Sequence, residues 1–184
     1  MSFQLMRAKT FDLFESKLNQ KQIENSELNK KEASEGLTVL KSYPRRVVLE
    51  LTNACNFNCI MCGRSEAGFK PTFLGFEDID RLADVFEHCE EVTLFGWGEP
   101  TIHPQFAKIV RWIDQFPVRK YFVTNGSTLK KIENILFEHK VDIMAVSLDG
   151  ATAETNNRIR RNADFGQIVS DLSRIVKIRN ENGY

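Results

Sequence analysis

The stretch VVLELTNACNFNCIMC, residues 47–62, joins a β-rich run to three cysteines spaced C-x3-C-x2-C. VVLELT (47–52) is nearly continuous in apolar and β-branched residues, the pattern of a β-strand. Cys55, Cys59 and Cys62 then follow on the loop that leaves the strand, and the chain has only one further cysteine, Cys89. One cysteine alone is explained by core packing, but three on a loop after a strand are not. In a reducing compartment such a bunch points to a metal or cluster rather than to a disulfide scaffold.

Outward from this stretch, strands and helices alternate. A helix is expected from about Phe76 to Glu90, with Ile79, Leu82, Ala83, Phe86 and Cys89 on one face, then a strand VTLFGW (92–97). Pro104 suits a first helical position, and Phe106, Ile109, Val110, Ile113 and Phe116 form the apolar stripe of a helix that Pro117 stops. YFVTNG (121–126) reads as the third strand, Leu129, Ile132, Ile135 and Leu136 as the third helix, and DIMAVSLDG (142–150) as the fourth strand. Asp164 with Gln167 looks like a capping box opening a last helix, whose buried face is Ile168, Val169, Leu172, Ile175 and Val176.

Strands that alternate with amphipathic helices give a parallel sheet, because parallel neighbours need crossovers and hairpins do not. The polar and glycine-rich segments CNFNC, GWGEP, TNG and SLDG all follow strands. In parallel α/β folds that carboxyl edge is where ligands bind, so these segments converge on one rim.

Residues 1–36 differ from the rest. Phe3, Met6, Thr10, Phe11, Phe14 and Leu18 recur at helical spacing, whereas residues 19–36 offer only Ile23, Leu28 and Ala33 as apolar anchors. The expectation is a loosely docked helical or flexible arm (1–36), a linker (37–44) marked by Pro44, and a main domain (45–184).

The 184 residues suffice for one domain, and 42% hydrophobic with 27% charged residues is an ordinary globular balance. Lys plus Arg equals Asp plus Glu at 25 each, which gives no reason to expect a nucleic-acid partner. No apolar run reaches the ~18 residues of a spanning segment, and the N-terminus has no signal-peptide pattern, so no membrane association and a cytoplasmic location are expected.

The triad itself leaves alternatives open. A structural zinc site wants four ligands, which His88 or Cys89 could complete; against this, Cys89 falls on the apolar face of its helix. A plant-type ferredoxin site has a different first spacing and also needs a fourth cysteine. The remaining reading is a cubane cluster held at three irons, with the fourth open to a ligand that is not protein.

C-x3-C-x2-C after the first strand of an α/β domain resembles the radical SAM superfamily. The resemblance implies that Cys55, Cys59 and Cys62 hold a [4Fe-4S] cluster and that S-adenosylmethionine (SAM) occupies the open iron. GWGEP looks like the family's GGEP motif, implying SAM contacts near Gly96, Gly98 and Glu99. SLDG resembles the segment whose serine, here Ser147, meets SAM, and NRIRR looks like the stretch that follows it, with Arg160 preferred over Arg158 and Arg161. Met61 stands where many members carry an aromatic beside the adenine, and Trp97, often a glycine in the family, is given no role. Arg64, Glu66, Lys70 and Asp149 lie on adjoining loops and are also left without one.

The family core is a partial barrel of six βα units, whereas four are visible here. The expectation is therefore an α/β fold, a partial (β/α) barrel of the radical SAM type, that is either a fragment or completed by another chain; the N-terminal arm, PRRVVLELTNACNFNCIMCGR and GWGEPTIHPQF together resemble the larger members that carry a C-terminal extra-cluster domain. The activity implied is reductive SAM cleavage and hydrogen abstraction, with a flavodoxin- or ferredoxin-like electron donor and a small-molecule or peptide substrate.

Overall fold

The computed structural model describes residues 18–65 and 69–183. Four strands, β1 (Arg46–Leu49), β2 (Glu91–Leu94), β3 (Arg119–Thr124) and β4 (Ile143–Val146), form one parallel sheet in sequence order. Between them run helices α2 (Phe76–Asp80), α3 (Ala83–His88), α4 (Phe106–Ile113) and α5 (Leu129–Glu138), and after β4 come α6 (Ala153–Ile159) and α7 (Phe165–Asn182). This is the partial (β/α) barrel expected.

The core lies between the sheet and the helices. Leu49, Val92, Leu94 and Phe122 face Phe86, Ile109, Ile113, Leu129, Leu136 and Ile168, all buried. The opposite face of the sheet starts with a charged row, because the register sets Arg46 beside Glu91 and Glu91 beside Arg119. Arg119 and Glu91 form a buried ion pair at 2.7 Å.

Several elements depart from the sequence pattern. The helix expected over Phe76–Glu90 is two short helices, because the Leu82 N–H bonds back to Ile79 and the tightened turn ends α2; Ile79 and Phe86 both remain fully buried. All four strands stop two or more residues early. Past Leu94, Thr124 and Val146 the backbone leaves the ladder to build the rim. Helix α4 starts at Phe106 rather than Pro104, since the His103 ring accepts the Gln105 N–H ahead of it. On α7, Ile168, Asp171 and Ile175 point inward, which leaves Val169 and Val176 exposed; Asp171 is held there by Arg174 at 2.7 Å.

The N-terminal helix α1 (Gln20–Ser34) docks in the opposite way to an amphipathic helix. Ile23 and Leu28, the expected anchors, are each 38% exposed, while Gln22, Asn25, Ser26 and Glu32 are buried. Gln22 donates to the carbonyls of Cys89 and Pro117, Asn25 exchanges bonds with Tyr43, and Glu32 accepts from Lys41 and Ser42. These side chains satisfy carbonyls and amides at turns, which burial under an apolar helix would leave unpaired. The pattern at Phe3–Phe14 lies outside the described residues.

Candidate cluster and cofactor site

The three cysteines lie on the loop between β1 and a 3-10 turn at Gly63–Ser65. Its first residues are tied by side-chain turns of the kind Thr and Asn favour. The Thr52 hydroxyl donates to the Thr72 carbonyl and accepts the Ala54 N–H, and Asn53 accepts the Thr72 N–H and donates to the Lys70 carbonyl. Further on, Asn58 N–H bonds to the Arg161 carbonyl and Ile60 N–H to the Ile159 carbonyl. The segment after α6 thus runs beside the cysteine loop. Arg64 closes the loop from within, its guanidinium donating to the carbonyls of Cys55 and Phe57 at 3.2 and 3.3 Å.

All three cysteines are partly exposed and line an open cavity of about 480 Å³ with Met61, Phe95, Gly96, Trp97, Gly98, Glu99, Thr124, Asn125, Ser147 and Arg160. Every site residue expected from the sequence is therefore on one cavity. Arg160 lines it, whereas Arg158 and Arg161 are not among the lining residues. Asp149 receives the Arg160 guanidinium at 2.5 Å and is itself held by Asn156. Burial pushes the Cys59 thiol above its ordinary range, and the Arg160 charge opposes that rise.

Gly98 fastens the GWGEP turn to the cysteine loop. A side chain there would run into the carbonyl oxygens of Thr52 and Ala54, and the neighbouring Glu99 N–H bonds to Ala54 at 2.8 Å. The Glu99 carboxylate, 2% exposed, has its oxygens engaged by Thr101, Thr124 and the Asn125 N–H. Its side chain therefore locks the rim, which leaves the backbone at this turn as the part that can meet a ligand. Trp97 is 59% exposed on the cavity, and its backbone N–H donates to the Glu50 carboxylate.

Sequence reading passed over Asn125, because TNG reads as a strand-ending turn. Gly126 has φ +83°, which suits glycine, but Asn125 does more than shape the turn: its Nδ2 donates to Cys55 Sγ at 3.6 Å. Phe57 N–H donates to the same sulfur at 3.4 Å. Arg64, also without a role in the sequence, proves to brace the loop. Glu66 lies outside the described residues.

The donor set fits an iron–sulfur cluster. Three sulfurs, two N–H donors on one of them and an open cavity beside them match the all-thiolate ligation and sulfur hydrogen bonding of such centres. A zinc site loses its fourth ligand. Cys89 is fully buried in the core with its thiol pushed up to about 12 by burial, and His88 is stacked on Tyr43 with Nδ1 at the Asp84 carbonyl. Neither lines the cavity. Among the described residues, no three Cys, His, Asp or Glu side chains are gathered as a single-ion site.

The profile of the radical SAM superfamily matches residues 49–179, more than half the chain and the whole of this rim. The chain belongs to the radical SAM superfamily. It is 33% identical over 133 residues to the mycofactocin maturase MftC of Mycobacterium tuberculosis (strain CDC 1551 / Oshkosh), covering 69% of this chain and 33% of that protein. It is 31% identical over 143 residues to the GTP 3',8-cyclase of Pseudomonas fluorescens (strain Pf0-1), covering 73% and 43%. The chain thus spans between a third and a half of these radical SAM relatives. Streptococcus suis SuiB bound to its precursor peptide SuiA shares the fold, with a TM-score of 0.65 and 17% identity over 83% of this chain and 34% of that one. SuiB bound to S-adenosylmethionine gives 0.60 and 20%, covering 86% and 36%. Radical SAM proteins use a [4Fe-4S] cluster and SAM. No helix among the described residues is long and apolar enough to cross a membrane.

Proposed function

We propose that Cys55, Cys59 and Cys62 hold a [4Fe-4S] cluster and that SAM occupies the adjoining cavity. The observation that carries this is the gathering of the triad, the backbone of Gly96 and Gly98, Ser147 and Arg160 on one opening at the carboxyl edge of the sheet. When bound, the pair supplies reductive cleavage of SAM to methionine and a 5′-deoxyadenosyl radical that takes hydrogen from substrate.

The chain's own residues do the positioning. Arg64, Asn58 and Ile60 fasten the cysteine loop, and Gly98 lets the rim backbone pack closely against it, where that backbone would hold the amino group of SAM. Met61, 57% exposed, offers a polarisable face to the adenine. Arg160, held by Asp149, offers positive charge to the carboxylate or ribose edge. Glu99 acts through the rim it braces.

We assign residues 45–184 to the N-terminal part of a six-unit radical SAM core in the cytoplasm, residues 1–36 to an arm and 37–44 to a linker. The electron donor is a flavodoxin- or ferredoxin-like protein. The substrate is a small molecule or a peptide, the latter in keeping with the precursor peptide bound by SuiB.

Anaerobic iron–sulfur reconstitution followed by EPR of the reduced protein, before and after adding SAM, tests the reading. The expected result is a [4Fe-4S]+ signal that changes with SAM, and 5′-deoxyadenosine after incubation with reductant. A cluster signal indifferent to SAM sinks the open-iron assignment.

A further inference from the structure

Asn125 is 6% exposed, and the hydrogen bonds around it form a closed set. Its Oδ1 accepts the Ser127 N–H at 2.9 Å, so Nδ2 must be the atom that faces the cysteine loop. Nδ2 donates to Asn56 Oδ1 at 2.8 Å and to Cys55 Sγ at 3.6 Å, and Asn56 Nδ2 in turn donates to Ser127 Oγ at 2.8 Å. The orientation is imposed by a backbone N–H, which cannot reverse its role. A donor is therefore fixed on the sulfur. The Asn125 backbone is pinned too, since its N–H bonds to the buried Glu99 carboxylate.

A hydrogen bond to a thiolate ligand favours the more negative state of a cluster, so it makes reduction easier. Bonds to a charged acceptor are stronger than neutral ones and gain in a low-dielectric site. We infer that Asn125 is a positioning residue that raises the reduction potential of the cluster by donating to the Cys55 sulfur, and that this makes electron uptake from a modest donor possible. The inference rests on the assignment of Cys55 as a cluster ligand.

The experiment is an EPR-monitored redox titration of reconstituted wild type, Asn125→Ala and Asn125→Asp, with iron measured in each. Asn125→Ala removes the donor, and Asn125→Asp keeps the shape while turning an acceptor oxygen toward the sulfur. The expected result is unchanged iron with both variants harder to reduce, by about tenfold in the one-electron equilibrium for the alanine, or about 59 mV, and by at least as much for the aspartate. Unmoved potentials at full iron content overturn the inference while leaving the ligand assignment intact. Loss of iron from both variants, with wild type still loaded, also overturns it, because Asn125 is then a fold residue only. Failure of wild type itself to form a [4Fe-4S] signal sinks the ligand assignment, and this inference with it.

Discussion

The cysteine loop and the ends of β2 and β3 face each other across the cavity and are held differently. The loop has almost no regular structure, its cysteines are partly exposed, and it is tied by scattered hydrogen bonds with residues 70–72, 159–161 and Arg64. The opposite wall is centred on one buried carboxylate, Glu99, that gathers the buried Thr101, Thr124 and Asn125. A wall that receives a cluster must present its thiols to the opening. A wall that orients a cofactor gains from being preset, since ordering cost is then met by folding.

The largest test of this contrast removes the thiols. Replacing Cys55, Cys59 or Cys62 singly with Ala is expected to abolish stable cluster binding, read as iron per chain after reconstitution, with the far-UV circular dichroism unchanged because the side chains are partly exposed. The same substitution at Cys89 should leave iron in place and instead lower the melting temperature, as a buried core side chain does.

Next is the joint between the walls. Gly98→Ala drives a methyl group into the carbonyls of Thr52 and Ala54 and should cost about 3 kcal/mol in chemical denaturation. Glu99→Gln keeps the shape but replaces an acceptor oxygen with a donor facing other donors, so a loss of about 2 kcal/mol is expected. A neutral Glu99→Gln would mean the preset wall is held by something else.

The smallest effect is chemical. Near pH 8 a thiol whose pKa burial has pushed up to about 12 is almost wholly protonated, so mass spectrometry of the alkylated apo protein should find Cys89 unmodified until denaturant is added. Cys59 should react only as pH rises further, because burial raises its thiol too, while its partial exposure leaves it accessible.

Much of this was legible in local pattern. The strands around Val47–Leu49, Val92–Leu94 and Phe122–Thr124, the stripe of α4 and the triad spacing each follow from residues close in sequence, as does the convergence of the loops on one edge. The role of Asn125 was not, because its partner lies 70 residues away and a turn explains TNG without it. Nor was the docking of α1, where periodicity favours Ile23 and Leu28 while the tertiary surroundings reward Gln22, Asn25 and Glu32 for satisfying exposed carbonyls and amides.

By itself the sequence determined the order of strands and helices, the three thiols on one loop and the segments that share their rim, because those depend on period and spacing along the chain. Only the tertiary structure decided that Glu99 is spent on the wall, that Arg160 rather than its neighbours meets the cavity, and that an amide N–H rests on Cys55. Each of those depends on hydrogen bonds or ion pairs between distant residues, whose directions exist only once the sheet has brought its ends together.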